Sequence, residues 1–419
     1  MKEFSAIALL FLIGMAKHHP VRAFSSWALR TARQNQVHST TTTFHPCSFV
    51  FLTTDSQTCQ TPWRLFSTSG ADDGSSSLSS EKKRVVFLGT PDVAAESLRA
   101  IVEDSQKEDS CYEVVGVVTQ PPKRRKRKGK VIPSPVGFVA EELDIPVLCP
   151  DKAKDPDFLD DMEHNVRPDL CITAAYGQYL PKRFLATPTY GTVNIHPSLL
   201  PRWRGASPVQ RSLEANDNPI GVSVLFTVSK MDAGPIISQE EYEVGEDEQA
   251  TTVLSHLFDV GTDMLLEAIP DVLNGKMTME TATTQDEEHV VNADMINPAE
   301  AELKLWKESA TTVHNRVRGF SIWPGTFVYT QVGDNEPTKT KIVTTRVLSE
   351  TAEPTNSIQL GPKKKDGLRF VCHDGSILEV LQLQPVTKKV MDAKSFVNGL
   401  QGRDAKWIQM PEKEEETKA

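Results

Sequence analysis

The chain has 419 residues, 39% of them hydrophobic and 24% charged, with a formal net charge of −10. That length accommodates about two domains and an extension, each large enough to bury its own core. The acidic balance excludes a surface that binds nucleic acid throughout, so any such contact must be local.

Cysteines at 47, 59, 111, 149, 171 and 372 form no C-x-x-C pair and have no histidine at ligand spacing. Free thiols in a reducing compartment are expected, and no metal site is predicted. Residues 1–80 are of different material. Between Phe4 and Gly70 the only acid is Asp55, while Lys17, Arg22, Arg30, Arg33 and Arg64 lie scattered in Ser/Thr-rich sequence. The apolar run 6–15 is too short to span a bilayer, so no membrane segment is expected. Basic, hydroxyl-rich and acid-poor, this stretch reads as an organelle transit peptide, for the mitochondrion in the first place and a plastid in the second.

Folding signals start at Lys83. Residues 84–88 read as a buried strand, 89–92 as a turn and 93–102 as a helix. Residues 112–118, 145–148, 170–175, 192–196 and 221–228 continue the strands, with a helix over 135–143 and a long amphipathic one over 251–274. Strands alternating with helices predict an α/β domain with a parallel sheet over 83–277. Residues 278–294 turn polar and read as a linker. Beyond it, a helix over 306–320 precedes short strands at 325–331, 341–348, 367–372 and 376–384. Such strands without intervening helices predict a small β-barrel domain over 295–410. Residues 411–419 read as a charged, disordered tail.

The chemistry concentrates where the strand 192–196 stops at a proline. Side chains alternate along a strand, so Asn194 and His196 share a face. In open α/β sheets, ligands bind beyond the carboxyl ends of the strands. Asp232, in Met231-Asp232-Ala233-Gly234-Pro235, follows the next apolar run. The three suit acyl transfer to an amine. Asn194 and His196 can donate to a developing oxyanion, and Asp232 can accept the amine's proton or orient His196. No G-x-S-x-G elbow is present, which favours direct transfer over a covalent intermediate. Gly89-Thr90-Pro91 lacks a G-x-G-x-x-G or Walker pattern and reads as a tight turn lining the site.

Lys123, Arg124, Arg125, Lys126, Arg127, Lys128 and Lys130 place seven cations in eight positions of an acidic protein. They lie in the loop after the second strand, on the same sheet edge as Asn194. Such a cluster binds a phosphate backbone electrostatically. Arg202, Trp203 and Arg204 add cation and stacking capacity for a nucleic-acid end. Lys363-Lys364-Lys365 and Lys388-Lys389 hint at a second basic surface on the barrel.

At these residues the chain resembles the methionyl-tRNA formyltransferases. Val86-Phe87-Leu88-Gly89-Thr90-Pro91, Thr119-Gln120-Pro121, Ala175-Tyr176-Gly177, residues 194–205 and Asp232-Ala233-Gly234 stand in the family's order. Arg318-Gly319-Phe320, Trp323-Pro324-Gly325 and Leu383-Gln384-Pro385 match its C-terminal domain. The resemblance implies a Rossmann-like formyltransferase domain followed by an OB-like β-barrel. It implies transfer of a formyl group from 10-formyltetrahydrofolate to initiator methionyl-tRNA, with Asn194, His196 and Asp232 catalytic. Ser198, Leu199, Leu200 and Pro201 map onto its folate-contacting segment, and the basic loop onto its contact with the acceptor arm. A monomer is expected. The competing expectations are another 10-formyltetrahydrofolate-dependent formyltransferase or hydrolase, and a non-catalytic tRNA- or folate-binding module.

Overall fold

The computed structural model describes residues 81–124, 130–363 and 365–411. The expected transit peptide, most of the expected tail and the centre of the basic run, Arg125 to Lys128, lie outside the described residues.

The first domain opens with β1 (Lys83–Gly89), α1 (Asp92–Ser105) and β2 (Tyr112–Val118), followed by a small hairpin of β3 (Lys123–Arg124) and β4 (Val131–Ile132). Then come α2 (Pro135–Glu142), β5 (Val147–Leu148), α3 (Pro156–Asp160), β6 (Leu170–Ala174), α4 (Lys182–Leu185) and β7 (Thr192–His196). It finishes with β8 (Arg204–Gly205), α5 (Pro208–Glu214), β9 (Ile220–Phe226), β10 (Ile236–Tyr242) and α6 (Ala250–Leu273). Strand order is β10-β9-β7-β6-β1-β2-β5. Val85, Phe87, Ile172, Val193 and Ile195 from one face of this sheet join Leu98, Ile101, Val253, Leu257 and Leu265 from α1 and α6 in a single cluster. On the other face, Val86, Leu88 and Cys171 pack against Phe158 of α3 and Phe184 of α4. Burial on both faces explains why these strands are continuous apolar runs rather than alternating ones.

The sheet is not wholly parallel, which corrects the expectation for residues 221–228. β1, β2, β5, β6 and β7 run parallel, but β9 pairs antiparallel with β7, placing Ser223 opposite His196, and β10 pairs antiparallel with β9. The cause lies in the connection. β8 leaves the sheet and pairs with β11 (Asn292–Ala293), and α5 packs on the next domain, so no helix crosses over the sheet to return the chain in parallel. The polar segment 278–294 therefore carries β11, and its Thr283 also bridges Ile236 at the start of β10.

The second domain contains α7 (Ala310–Gly319), β12 (Thr326–Val332), β13 (Thr338–Thr351), β14 (Gln359–Leu360), β15 (Leu368–Val371), β16 (Ser376–Pro385), β17 (Met391–Asp392), α8 (Ala393–Leu400) and β18 (Ala405–Ile408). α7 begins later than residue 306 because the Ser309 hydroxyl caps it, accepting from the Thr312 N–H. The antiparallel order is β14-β15-β16-β13-β12-β18. A bridge between Ser357 and Lys406 brings the two ends of that order together, so the sheet closes as a barrel. Its interior holds Val328, Ile342, Leu368, Phe370, Leu378, Val380 and Leu383, with Val313 and Val317 of α7 covering it. Arg316 of α7 reaches Glu214 of α5 at 3.1 Å and Glu308 at 2.8 Å, tying the two domains together. Among the described residues no helix is long and apolar enough to cross a membrane.

Candidate active site

The carboxyl ends of β1, β2, β6 and β7 share one edge of the sheet, and the candidate residues collect there. Thr173 of β6 stands beside Asn194 of β7 in the parallel register, and its hydroxyl donates to Asn194 Oδ1 at 2.7 Å. With the amide oxygen taken, Asn194 Nδ2 is left to donate outward, and it has no protein partner among the described residues. Asn194 is half-buried, so that donor is both accessible and partly shielded from water.

His196 is 5% exposed. Its Nε2 lies 2.9 Å from the Trp203 carbonyl oxygen, which can only accept, so Nε2 carries the hydrogen. Nδ1 then faces Asp232 Oδ2 at 3.7 Å. The structure thus brings Asn194, His196 and Asp232 together, but with the imidazole donor turned onto the Trp203 carbonyl. Asn194 is left as the side chain with an uncommitted N–H.

Asp232 sits in the turn between β9 and β10 with φ of 48°, in the left-handed region. Its Oδ2 accepts from the Gly205 N–H at 2.9 Å. That contact depends on two glycines. Gly205 has φ of 130°, and a Cβ there would come within 2.7 Å of the Ala293 carbonyl across the β8–β11 pair. A Cβ on Gly234 would fall 1.7 Å from the Phe226 carbonyl, so only glycine lets the turn close against β9.

The loop after β7 is locked by its own polar groups. Ser198 Oγ donates to the Arg202 carbonyl at 2.8 Å, and Ser223 Oγ donates to the Ser198 carbonyl at 2.6 Å. The Leu200 carbonyl accepts from Gln239 Nε2 at 3.0 Å, and Leu200 packs with Leu225 and Ile236. Ser198 and Leu200 therefore build the loop from inside. Leu199 and Pro201 are half-buried and present its surface.

Arg204 departs from the expectation of a surface cation. It is 4% exposed, and its guanidinium is held by Gln285 Oε1 at 2.8–2.9 Å and by Glu287 at 3.0 Å. Arg202 is exposed and Trp203 half-buried, and both bond Asp217 Oδ2 at 2.8 Å. Of the basic run, Lys123 and Arg124 form β3 and pair with β4, and these two and Lys130 are exposed. Lys363, Lys365, Lys388 and Lys389 are exposed on the barrel. Thr90 donates to the Tyr176 carbonyl at 2.9 Å, so the 89–92 turn is tied to the loop after β6. Cys111, Cys171 and Cys372 carry free thiols, and burial raises the Cys171 and Cys372 pKa values, the latter to about 12. Among the described residues no cluster of three His, Cys, Asp or Glu side chains is placed to hold a metal ion.

Sheet, barrel and site define the class. Residues 83–269 match the family model described as formyl transferase, and residues 295–401 match that of the formyl transferase C-terminal domain. Methionyl-tRNA formyltransferase of Bacillus subtilis is 36% identical over 318 residues, covering 75% of this chain and 94% of that protein. The same enzyme of Methylococcus capsulatus is 36% identical over 318 residues, covering 75% of this chain and 96% of its own. The chain belongs to the methionyl-tRNA formyltransferase family. In fold it is similar to the solved sugar 3N-formyl transferase WlaRD, at a TM-score of 0.50 and 16% identity, covering 74% of this chain and 100% of that one. It is similar also to an N-formyltransferase from Helicobacter canadensis, at a TM-score of 0.50 and 15% identity over 73% of this chain and all of that one.

Proposed function

We propose that this chain transfers the formyl group of 10-formyltetrahydrofolate to the amino group of initiator methionyl-tRNA, in the mitochondrion and as a monomer. The observation that carries the reading is Asn194 with its amide oxygen pinned by Thr173, standing in one site with the His196–Asp232 pair at 3.7 Å.

The co-substrate supplies the formyl carbon. The residues fit it: Leu199 and Pro201 offer a half-buried apolar loop surface directly after the strand that carries an uncommitted amide donor. Asn194 donates to the oxygen on which negative charge builds as the amine attacks, the contribution that is commonly the largest in acyl transfer. Asp232 accepts the proton that the amine sheds, and in the neutral imidazole Nδ1 of His196, turned to the same carboxylate oxygen, is a second acceptor beside it. Trp203 and Gly205 keep the two groups in register from the backbone. Lys123, Arg124 and Lys130, with Arg125, Lys126, Arg127 and Lys128, supply the charge that holds the acceptor arm. The basic, acid-poor composition of residues 1–80 supports import into the mitochondrion.

The test is incubation of purified protein with formyl-labelled 10-formyltetrahydrofolate and charged initiator tRNA. Label in the aminoacyl-tRNA supports the proposal. Label released as formate identifies a hydrolase, label in a different amine identifies another formyltransferase, and no turnover identifies a binding module. Import of residues 1–80 fused to a reporter into mitochondria tests the location, with plastid import or cytosolic retention as the opposing results.

A further inference from the structure

Residues 281–293 join the two domains in sequence, yet they are built into the site. Thr283 exchanges both backbone hydrogen bonds with Ile236 at 2.7 and 2.9 Å. Two residues on, Gln285 turns inward and is 7% exposed. Its Nε2 donates to the carbonyl oxygens of Asp232 at 2.7 Å and Gly234 at 2.8 Å. Its Oε1 accepts from Nε and Nη2 of the buried Arg204 at 2.9 and 2.8 Å. Both N–H groups and both lone pairs of the amide are used, so its orientation is fully determined. Glutamate would keep the grip on Arg204 but lose both donors, and asparagine would be one methylene short.

Asp232 needs such a hold. Its backbone is left-handed, a conformation costing a non-glycine residue about 1 kcal/mol or more, so the turn relaxes unless its surroundings fix it. Gly205 fixes the carboxylate from one side, and β11 in turn fixes Gly205. Gln285 fixes the backbone carbonyl from the other. The carboxylate's placement near His196 is thus determined by the interdomain segment as well as by β9 and β10.

We infer that Gln285 is a positioning residue for Asp232, acting together with Arg204. This rests on the reading of Asp232 as the proton acceptor. A misplacement of about 1 Å at a reacting group costs on the order of 10²-fold in rate. Gln285→Glu should therefore lower kcat about 10- to 100-fold while the KM values for folate and methionyl-tRNA move less than about twofold. The decisive readout is the double-mutant cycle with Asp232→Asn. If Gln285 acts through Asp232, its substitution adds less than about twofold in that background. Wild-type kcat in Gln285→Glu, or the same fold loss in both backgrounds, overturns the inference. Near-normal turnover by Asp232→Asn alone overturns the site reading, and with it the clamp. Thermal melts accompany each variant. Should Gln285→Glu fail to fold, Arg204→Lys, which keeps the charge and loses the two-point grip, takes its place in the same cycle with the same expected results.

Discussion

His196 Nδ1 stands 3.7 Å from Asp232 Oδ2 while the opposite ring nitrogen donates to the Trp203 carbonyl at 2.9 Å. In the neutral imidazole the backbone carbonyl thereby sets the tautomer and leaves Nδ1 as the lone-pair nitrogen on the side of the carboxylate. Two acceptors so placed take up one proton between them, which is what an attacking amine must give away. Asn194, its amide oxygen held by Thr173, keeps the N–H that the proposed mechanism assigns to the oxyanion.

Asn194→Ala should lower kcat by about 10²–10³-fold with little change in melting temperature, because in the proposed mechanism the amide donates to the reacting oxygen and the side chain is only half-buried. Thr173→Val should cost less, on the order of 10-fold, since it frees the amide to rotate without removing it. Steady-state formyl transfer and thermal melts of both variants check this. Equal losses would place Thr173 in direct contact with substrate.

Gly205→Ala should damage activity and stability together. Its methyl would meet the Ala293 carbonyl within 2.7 Å, and φ of 130° disfavours any side chain. Strain of this kind costs about 1–3 kcal/mol. Relieving it separates β8 from β11 and draws the Gly205 N–H off Asp232. The check is a thermal melt alongside the transfer assay. A folded, stable variant with normal kcat would show that this contact is dispensable.

Replacing Lys123, Arg124 and Lys130 with glutamine should weaken tRNA binding and flatten its salt dependence. Every cation withdrawn from a phosphate lowers the slope of log K against log salt by about 0.7–0.9. Binding titrations at several salt concentrations measure it. An unchanged slope would remove these three cations from tRNA recognition.

The domain junction should loosen as the medium turns mildly acid. His314 of α7 accepts from the Thr345 hydroxyl at Nδ1 (2.8 Å) and donates to the Glu246 carbonyl from Nε2 (3.0 Å). Burial, above all, holds its pKa below the ordinary 6.5, and the Arg318 charge adds to that, while the Glu246 carbonyl and Asp247 pull the other way. Below pH 6.5 the unfolded chain binds a proton that the folded one resists, so stability is complete above 6.5 and falls as pH drops through it. Melting temperatures between pH 5 and 7.5 should decline more steeply for the wild type than for His314→Gln. Parallel curves would contradict this.

Much of the architecture could be read from periodicity. The strands at 112–118 and 192–196 lie where their apolar runs place them, since a strand buried on both faces leaves an unbroken signal. The direction of β9 was not legible, because a run of apolar residues carries no sign of parallel or antiparallel pairing. Asn194, His196 and Asp232 stood out by type and by their place after apolar runs. Gln285 did not, for a single glutamine in a polar stretch differs from a solvated one only in what it touches after folding. Arg204 misled for the same reason: next to Arg202 and Trp203 it reads as part of an exposed cationic patch, and only Gln285 and Glu287 account for its burial. The β8–β11 pair, two residues on each side, is too short for any periodicity.

The most direct measurement is single-turnover formyl transfer to initiator methionyl-tRNA by Asp232→Asn protein that melts and binds tRNA as the wild type does. The expected result is a loss of at least about 10²-fold in the chemical step, because the amide cannot take the amine's proton. Transfer at close to the wild-type rate would contradict it.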